Sequence, residues 1–267
     1  MGTLIIALDA GHGYNTAGKR CMKKLDANQT REWYLNDRIM DKVQVLLEKY
    51  DCKVLRTDDT TGAKDISLSA RVKTANNAKA DVFISMHHNA GINGGSGGGT
   101  KIYWYSSKAV RKEQAQSLYD IIVAKTGLVG NRSTKVSKNG FYVVKKTTMP
   151  AFLVENGFMD SKVDVPIILS EAHADKTAEA LVEFLVKEFG LKKKPEEVKP
   201  VENYNYYPAY KGKKTTLQPA LASLGVNSSY SYRKKIAKAN GITGYCGTAK
   251  QNTTMYNLLV AGLLKKA

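Results

Sequence analysis

The chain has 267 residues, 43% of them apolar, and a formal net charge of +17. That size and composition support one large domain or one domain with a small companion, and the charge implies an anionic partner such as nucleic acid, an acidic membrane or an acidic wall polymer. Three cysteines (Cys21, Cys52 and Cys246) with no CxxC pair exclude a disulfide scaffold and are expected to be free thiols from a reducing compartment, while no apolar run approaches the roughly 18 residues of a membrane helix.

The N-terminal MGTLIIALDAGHG has an apolar run with no basic residues before it, so TLIIAL (3–8) reads as a first strand and not as a signal peptide. Ile6 stands where myristoylation requires Ser or Thr. No Sec-type export signal and no membrane insertion are expected. REWYLNDRIMDKVQVLLEKY (31–50) reads as an amphipathic helix with Leu35, Ile39, Val43 and Leu46 on one stripe. A short strand follows at 52–57, then a helix over 68–80 with Ser67 or Ser69 as its cap, then a buried strand at 81–86. GINGGSGGG (91–99) is low in complexity; a flexible border to an active site and a plain tether both fit it. TKIYWYS (100–106) alternates like a strand, 110–127 is a helix closed by glycine, FYVVKK (141–146) and PAFLVE (150–155) read as strands, and 165–189 is a last helix.

Strands alternating with helices predict an α/β fold, a largely parallel sheet flanked by helices, spanning residues 1–190. In such sheets sites form beyond the carboxyl ends of the strands. LDAGHG, SMHHNA and LVENG are all strand exits that carry polar groups. LKKKPEEVKPVE (191–202) is dense in charge and holds two prolines, and reads as a linker. Residues 203–267 change character: nine lysines, Arg233 and eight of the fifteen tyrosines, with no Asp or Glu. That segment therefore carries +10 of the +17 and leaves +7 for the rest. TTLQPALASLGV, SSYSYRKKIAKANGI and TAKQNTTMYNLLVAGLL predict three short helices, a small separate module without a second copy.

Four side chains stand out for chemistry. His12 lies in a GHG turn, where bonding to a backbone carbonyl would be an ordinary role. Glu32 precedes Leu35, Ile39 and Val43 on the apolar stripe of its helix; it either complements the helix dipole or meets a cation. His87 and His88 are consecutive in a strand and face opposite ways, and His87 shares its side with Ser85. Glu155 ends an apolar strand, either in a core salt bridge or as a general base with a raised pKa. Two imidazoles and one carboxylate leave an open position on a tetrahedral zinc ion, and a further carboxylate can take a proton from water there. That is the composition of a zinc hydrolase acting on an amide or ester, although HExxH is absent, as are GxSxG, a Walker loop and GxGxxG after a strand.

LDAGHG, REWYLN, LSARVKTAN, ISMHHNA and FLVENGFMDS, in that order over residues 3–188, resemble the zinc-dependent N-acetylmuramoyl-L-alanine amidases of the Amidase_3 type. The resemblance implies a twisted mixed sheet flanked by helices, one zinc ion held by His12, Glu32 and His87, and Glu155 as the catalytic carboxylate. It also implies peptidoglycan as substrate: hydrolysis of the amide between the muramic acid lactyl group and L-alanine by zinc-activated water, with Glu155 passing the proton to the departing amine. Asn89 and Asn156 are candidate substrate contacts, each also able to cap a turn. Family members usually carry a small residue where this chain has His88. Cys21, in the loop between His12 and Glu32, is expected to be a bystander to the metal.

The layout is similar to that of a bacteriophage endolysin, made in the host cytoplasm and brought to the cell wall once a holin opens the membrane. The C-terminal segment is similar to short modules that end lysins of clostridia and related Gram-positive hosts. A cationic, tyrosine-rich surface suits an anionic wall polymer. Two rival readings remain in view: a bacterial autolysin or sporulation amidase with the same chemistry, and a nucleic-acid-binding protein acting through residues 203–267. The second finds no RNP-like motif, zinc knuckle or helix-turn-helix and leaves the His and Glu constellation unexplained, so no nucleic-acid partner is expected.

Overall fold

The computed structural model describes residues 3–106, 109–194 and 205–267. The chain divides into two units, Met1–Pro195 and Glu196–Ala267. In the first, strands β1 (Leu4–Ala10), β2 (Cys52–Arg56), β3 (Val82–Asn89), β4 (Thr100–Trp104), β5 (Val136–Lys138) and β6 (Ala151–Phe158) form one sheet in the order β2-β1-β3-β6-β4-β5. Only β4 against β6 is antiparallel; every other pairing is parallel. The helices are α1 (Glu32–Leu47), α2 (Leu68–Asn77), α3 (Ala109–Thr126), α4 (Tyr142–Lys146), α5 (Asp164–Ile168) and α6 (Glu171–Phe189). This is the expected mixed, mostly parallel sheet with flanking helices.

Strand periodicity sorts the sheet into two faces. Ile6, Leu8, Val82, Ile84, Met86, Ile102, Phe152 and Val154 pack with side chains of α1, α3 and α6 into the largest core. Ala7, Phe83, Ala151 and Leu153 alternate with them and pack against Val72 and Ala75 of α2 and Val143 and Val144 of α4. Because both faces are covered, the central strands read as unbroken apolar runs. Ser67 caps α2, accepting a hydrogen bond from the Ala70 amide.

Three expectations are corrected. FYVVKK is not a strand: residues 142–146 form α4, whose adjacent valines both face the core while Lys145 and Lys146 stay in solvent. A strand would have sent those valines to opposite faces, so packing on the sheet overrides β propensity. The single helix expected over 165–189 is two, because Ser170 takes extended backbone and caps α6 by accepting from the His173 amide. The start of the expected linker belongs to the first unit: Leu191 is buried, and Lys192 and Lys194 hydrogen-bond to the segment around Tyr50. The rest of that linker, from residue 195, lies outside the described residues.

In the second unit, α7 (Leu217–Ser223), α8 (Tyr230–Ala239) and α9 (Ala249–Val260) are the three expected helices. They enclose a core of their own, built from Leu217, Leu221, Ile236, Met255, Leu259 and Leu264 with Tyr207, Tyr210 and Tyr245. No helix among the described residues is long and apolar enough to cross a membrane.

Candidate metal centre and active site

The three polar strand exits belong to β1, β3 and β6, which are neighbours in the sheet. Parallel pairing brings their carboxyl ends together, which is why residues far apart in sequence meet. The same alternation that places Ala7, Phe83 and Leu153 toward α2 and α4 places Asp9, Ser85, His87 and Glu155 on that side further along. His87 and Glu155 are register partners across β3 and β6.

His12 follows β1 with a left-handed backbone, φ 69°, uncommon for a residue with a side chain. Arg71 of α2 holds it there. The guanidinium is 1% exposed and donates to Asp9 Oδ1 (2.8 Å), to the Ala10 carbonyl (2.7 Å) and to the His12 carbonyl (2.9 Å). Asp9 also accepts from Ser85 Oγ (2.6 Å) and Thr57 Oγ1 (2.8 Å). Burial alone would raise the Asp9 pKa, but Arg71 and these hydroxyls outweigh it and keep the group below the usual carboxylate range. Gly11 is required by a close approach: a Cβ there would lie 2.1 Å from the His87 ring.

Glu32 is the first residue of α1 and is 1% exposed. Its Oε1 gathers His12 Nε2 at 3.4 Å, His87 Nδ1 at 3.1 Å and the backbone amide of His88 at 3.2 Å. One donor atom from each of His12, Glu32 and His87 lies within 4.8 Å of the others. Glu32 Oε2 is buried without a hydrogen-bond partner among the described residues; the Lys19 ammonium stands 3.6 Å away. Glu155 Oε2 is orphaned in the same way. A buried carboxylate oxygen without a partner is costly, and a cation with its water is the species that would satisfy both.

The two carboxylates differ in environment. Burial favours the neutral form of Glu32, yet hydrogen bonds and charge from His12 and His87 overcome it and hold the group below its ordinary value. Burial pushes Glu155 up to about 7, with His87, Lys19 and Lys101 opposing and Glu32 adding to the rise. Neighbouring carboxyls driven apart in this way are suited to different tasks, one staying anionic and one exchanging a proton near neutrality.

His88 points to the other face, where its Nδ1 meets Asn36 Oδ1 at 2.8 Å and Asn36 Nδ2 donates to the Gly11 carbonyl at 3.1 Å. Burial pushes the His88 pKa down to about 3, so the ring is neutral and braces α1 against two strand exits. Cys21 is packed with Leu35, Leu128, Met159 and Ile168, and burial pushes its thiol up to about 12. It is outside the His12, Glu32, His87 cluster, as expected of a bystander. All three cysteines are free.

Asn89 is half-buried, and its Oδ1 accepts from the Ala90 amide. Asn156, also expected beside substrate, corrects that expectation: it has no exposed surface, and its Nδ2 donates to His173 Nε2 (2.9 Å) and Thr177 Oγ1 (3.2 Å) of α6. Since consecutive strand residues face opposite ways, Glu155 at the site places Asn156 against α6. Arg71 and Asp9 escaped the sequence reading, as did Asp160, whose Oδ2 accepts from the amides of Gly91, Ile92 and Asn93 and ties the glycine-rich loop beside the β3 exit. The aspartates of LDAGHG and FMDS were the available signal, but their partners are remote in sequence.

Two imidazoles and a buried anionic carboxylate, with a second carboxylate in register beside them, define the site of a metal-assisted hydrolase on an α/β sheet. Residues 6–187 match the family model Amidase_3, N-acetylmuramoyl-L-alanine amidase, and the chain belongs to that family. It is similar to the endolysin of Bacillus phage SPP1, 32% identical over 71% of this chain and 68% of the phage protein. It is also similar to the N-acetylmuramoyl-L-alanine amidase CwlM of Bacillus licheniformis, 30% identical over 70% of each. Among solved structures, an N-acetylmuramoyl-L-alanine amidase from Clostridium difficile 630 superposes with a TM-score of 0.63 at 29% identity, covering 71% of this chain and 98% of that one. The protein is therefore an N-acetylmuramoyl-L-alanine amidase acting on peptidoglycan, and its His12, Glu32, His87 cluster is consistent with the zinc site of the family.

Proposed function

We propose that the chain is a bacteriophage endolysin that uses zinc, with His12, Glu32 and His87 as ligands and Glu155 as the proton-transferring group. The observation that carries the catalytic part is the convergence of three donor atoms within 4.8 Å beside a carboxyl that stands in register with His87. The donor set fits zinc in kind and number, and leaves a position for water and substrate. When bound, the ion supplies a Lewis acid that acidifies water and polarises the carbonyl under attack.

The protein's own groups do the rest. Arg71 fixes the His12 backbone, and the Glu32 carboxylate orients both imidazoles. Glu155, with a pKa near 7, is partly ionised at neutral pH and accepts a proton from the attacking water. The same carboxyl then returns that proton to the amine of L-alanine as the amide C–N bond breaks. Water, amide and proton balance, and the products are the lactyl carboxylic acid and a free L-alanine N-terminus.

The test measures metal content and wall hydrolysis together. The wild type is expected to hold about one zinc and to release L-alanine N-termini without new reducing sugars, whereas Glu155→Ala keeps the metal and loses activity. A metal-free wild type, or a fully active variant, would overturn the assignment of all four residues.

The endolysin reading is supported by the relative from phage SPP1. Such a protein is made in the host cytoplasm and meets the wall after a holin opens the membrane. CwlM, at nearly the same identity, favours the alternative of a bacterial wall amidase with the same chemistry. Genomic context separates them: a neighbouring holin gene supports the first, and cell-division or sporulation neighbours the second. Residues 203–267 are proposed to bind an anionic wall polymer, a reading supported by ten basic residues, eight tyrosines and no carboxylate side chain.

A further inference from the structure

α8 of the second unit carries an unusual stripe. Ser231, Lys234, Lys235 and Lys238 are spaced i, i+3, i+4 and i+7, so they share one face of the helix, while Ile236 and Ala237 on another enter the core. All three lysines are exposed. Like charges at this spacing destabilise a helix. Natural surfaces offset such repulsion with interspersed acids, but residues 203–267 contain no Asp or Glu. The cost is left standing in the free protein.

The stripe is one wall of a concavity. After α8 the chain turns through Gly241 (φ 71°) and Gly244 (φ 61°), both left-handed, and folds back beside the helix. The Ile242 amide donates to the Ala237 carbonyl (2.9 Å) and fixes the start of this return. Tyr230 and Tyr245 stack at 5.8 Å, and the Tyr230 hydroxyl donates to the Tyr245 carbonyl. The result is a cavity of about 700 Å³ lined by Tyr230, Lys234, Lys235, Lys238, Ile242 and Tyr245 among others. Arg233, the other cation of α8, is committed elsewhere, donating to Tyr245 Oη and the Ser228 carbonyl. Three cations without acid partners, a half-exposed tyrosine and an apolar wall therefore meet in one pocket.

We propose that this pocket binds a phosphodiester-linked polymer of the bacterial wall, with phosphates along Lys234, Lys235 and Lys238 and the sugar or polyol against Tyr230. The inference rests on the reading of residues 203–267 as a wall-binding module and assigns the site within it. The volume is that of a small-molecule pocket and admits one or two repeat units. Duplex nucleic acid instead demands an extended basic face of at least several hundred square ångströms. Ammonium groups meet phosphates as point charges without fixed geometry, which suits a flexible repeating polyanion. Tyrosine adds an apolar face with a polar tip at small entropic cost.

The full chain is to be tested for retention on Gram-positive wall sacculi, native or stripped of phosphodiester polymers with hydrofluoric acid. Joint Lys234→Gln, Lys235→Gln and Lys238→Gln substitution should weaken retention on native sacculi about tenfold or more. The charge-matched control, joint Lys211→Gln, Lys213→Gln and Lys214→Gln, alters three exposed residues outside the pocket and should bind like the wild type. Stripped sacculi should retain the wild type as poorly as native sacculi retain the pocket variant. Equal losses in the two triple variants overturn the pocket and leave the wall-binding reading standing. Undiminished retention on stripped sacculi overturns the phosphodiester ligand, as does equal retention on duplex DNA at the same ionic strength. A wild type retained on no sacculi overturns the module reading along with the pocket. A second measurement needs no variant: poly(glycerol phosphate) titrated into the wild type should shift the amide resonances of residues 230–245 before those of 211–214, and the reverse order overturns the site.

Discussion

The two units treat charge in opposite ways. In the first, charge is drawn inward: Asp9, Glu32 and Arg71 are each 1% exposed, and every ion pair among the described residues lies there. In the second, the core is aliphatic with three tyrosines, the pocket lysines stay in solvent, and no side-chain carboxylate exists to pair with them. Buried, opposed charges hold a reaction centre in one geometry at the cost of desolvation. Exposed charges of one sign hold nothing inside the protein and gain free energy only from an outside partner. One unit is organised before its substrate arrives; the other, on the proposed reading, is completed by its ligand.

The largest break in that comparison comes from removing an inward charge. Arg71→Met leaves Asp9 buried and uncompensated and frees the Ala10 and His12 carbonyls. Losing one partner of a buried pair costs about 3–5 kcal/mol, so denaturant unfolding of the first unit should shift by that order, and zinc retention should fall with it. An unchanged midpoint would show that the pair does not support the site. Lys238→Met in the second unit removes a solvated charge and should leave stability within about 0.5 kcal/mol.

Acid should separate the units next. All four histidines lie in the first, and the second has neither histidine nor side-chain carboxylate. Burial pushes His173 down to about 4. Its folded pKa is below the unfolded value, so the unfolded chain binds more protons between pH 6.5 and 4 and stability is lost as pH falls through that window. A shift from 6.5 to about 4 corresponds to about 3 kcal/mol once the fall is complete. His88, pushed to about 3, acts with the same sign. Glu155, pushed up to about 7, acts with the opposite sign and offsets part of this loss. Amide exchange in β3 and β6, relative to α9, should therefore quicken more in the wild type than in His173→Gln when pH falls from 7 to 4, after correction for intrinsic rates. Parallel loss of protection in both units would sink the argument.

Much of the first unit was legible because unbroken apolar runs ending in GHG, HHN and ENG can only be covered strands with polar exits. Their meeting follows from parallel pairing, and Glu32 was visible as an acid on an apolar stripe. What failed was whatever depends on distant packing. α4 holds two adjacent valines that look like a strand until the sheet beneath them is known, and β5 is too short to leave a pattern. Arg71 was hidden because its partner Asp9 is 62 positions away. Asn156 was misjudged although the information was present: the alternation that separates His87 from His88 also separates Glu155 from Asn156. In the second unit the helices and the charge imbalance were plain, but the pocket was not, since it arises from the return of residues 241–245 along α8.

The smallest effect concerns how that return is held. Thr248 caps α9, its Oγ1 accepting from the Gln251 amide, while Gln251 Oε1 accepts from the Thr248 and Cys246 amides and its Nε2 donates to the Gly244 carbonyl. One capping box thus anchors both a helix start and the loop that walls the pocket. Thr248→Ala removes a single cap acceptor and should cost about 1 kcal/mol. Hydrogen exchange should show protection in α9 reduced about fivefold, with β3 and β6 unaffected because their core is separate. Gln251→Ala, which also releases Gly244, should weaken wall retention more than Thr248→Ala does. If the two variants bind walls alike, the 241–248 loop does not shape the ligand site, and the lysine stripe of α8 alone sets the contrast between the units.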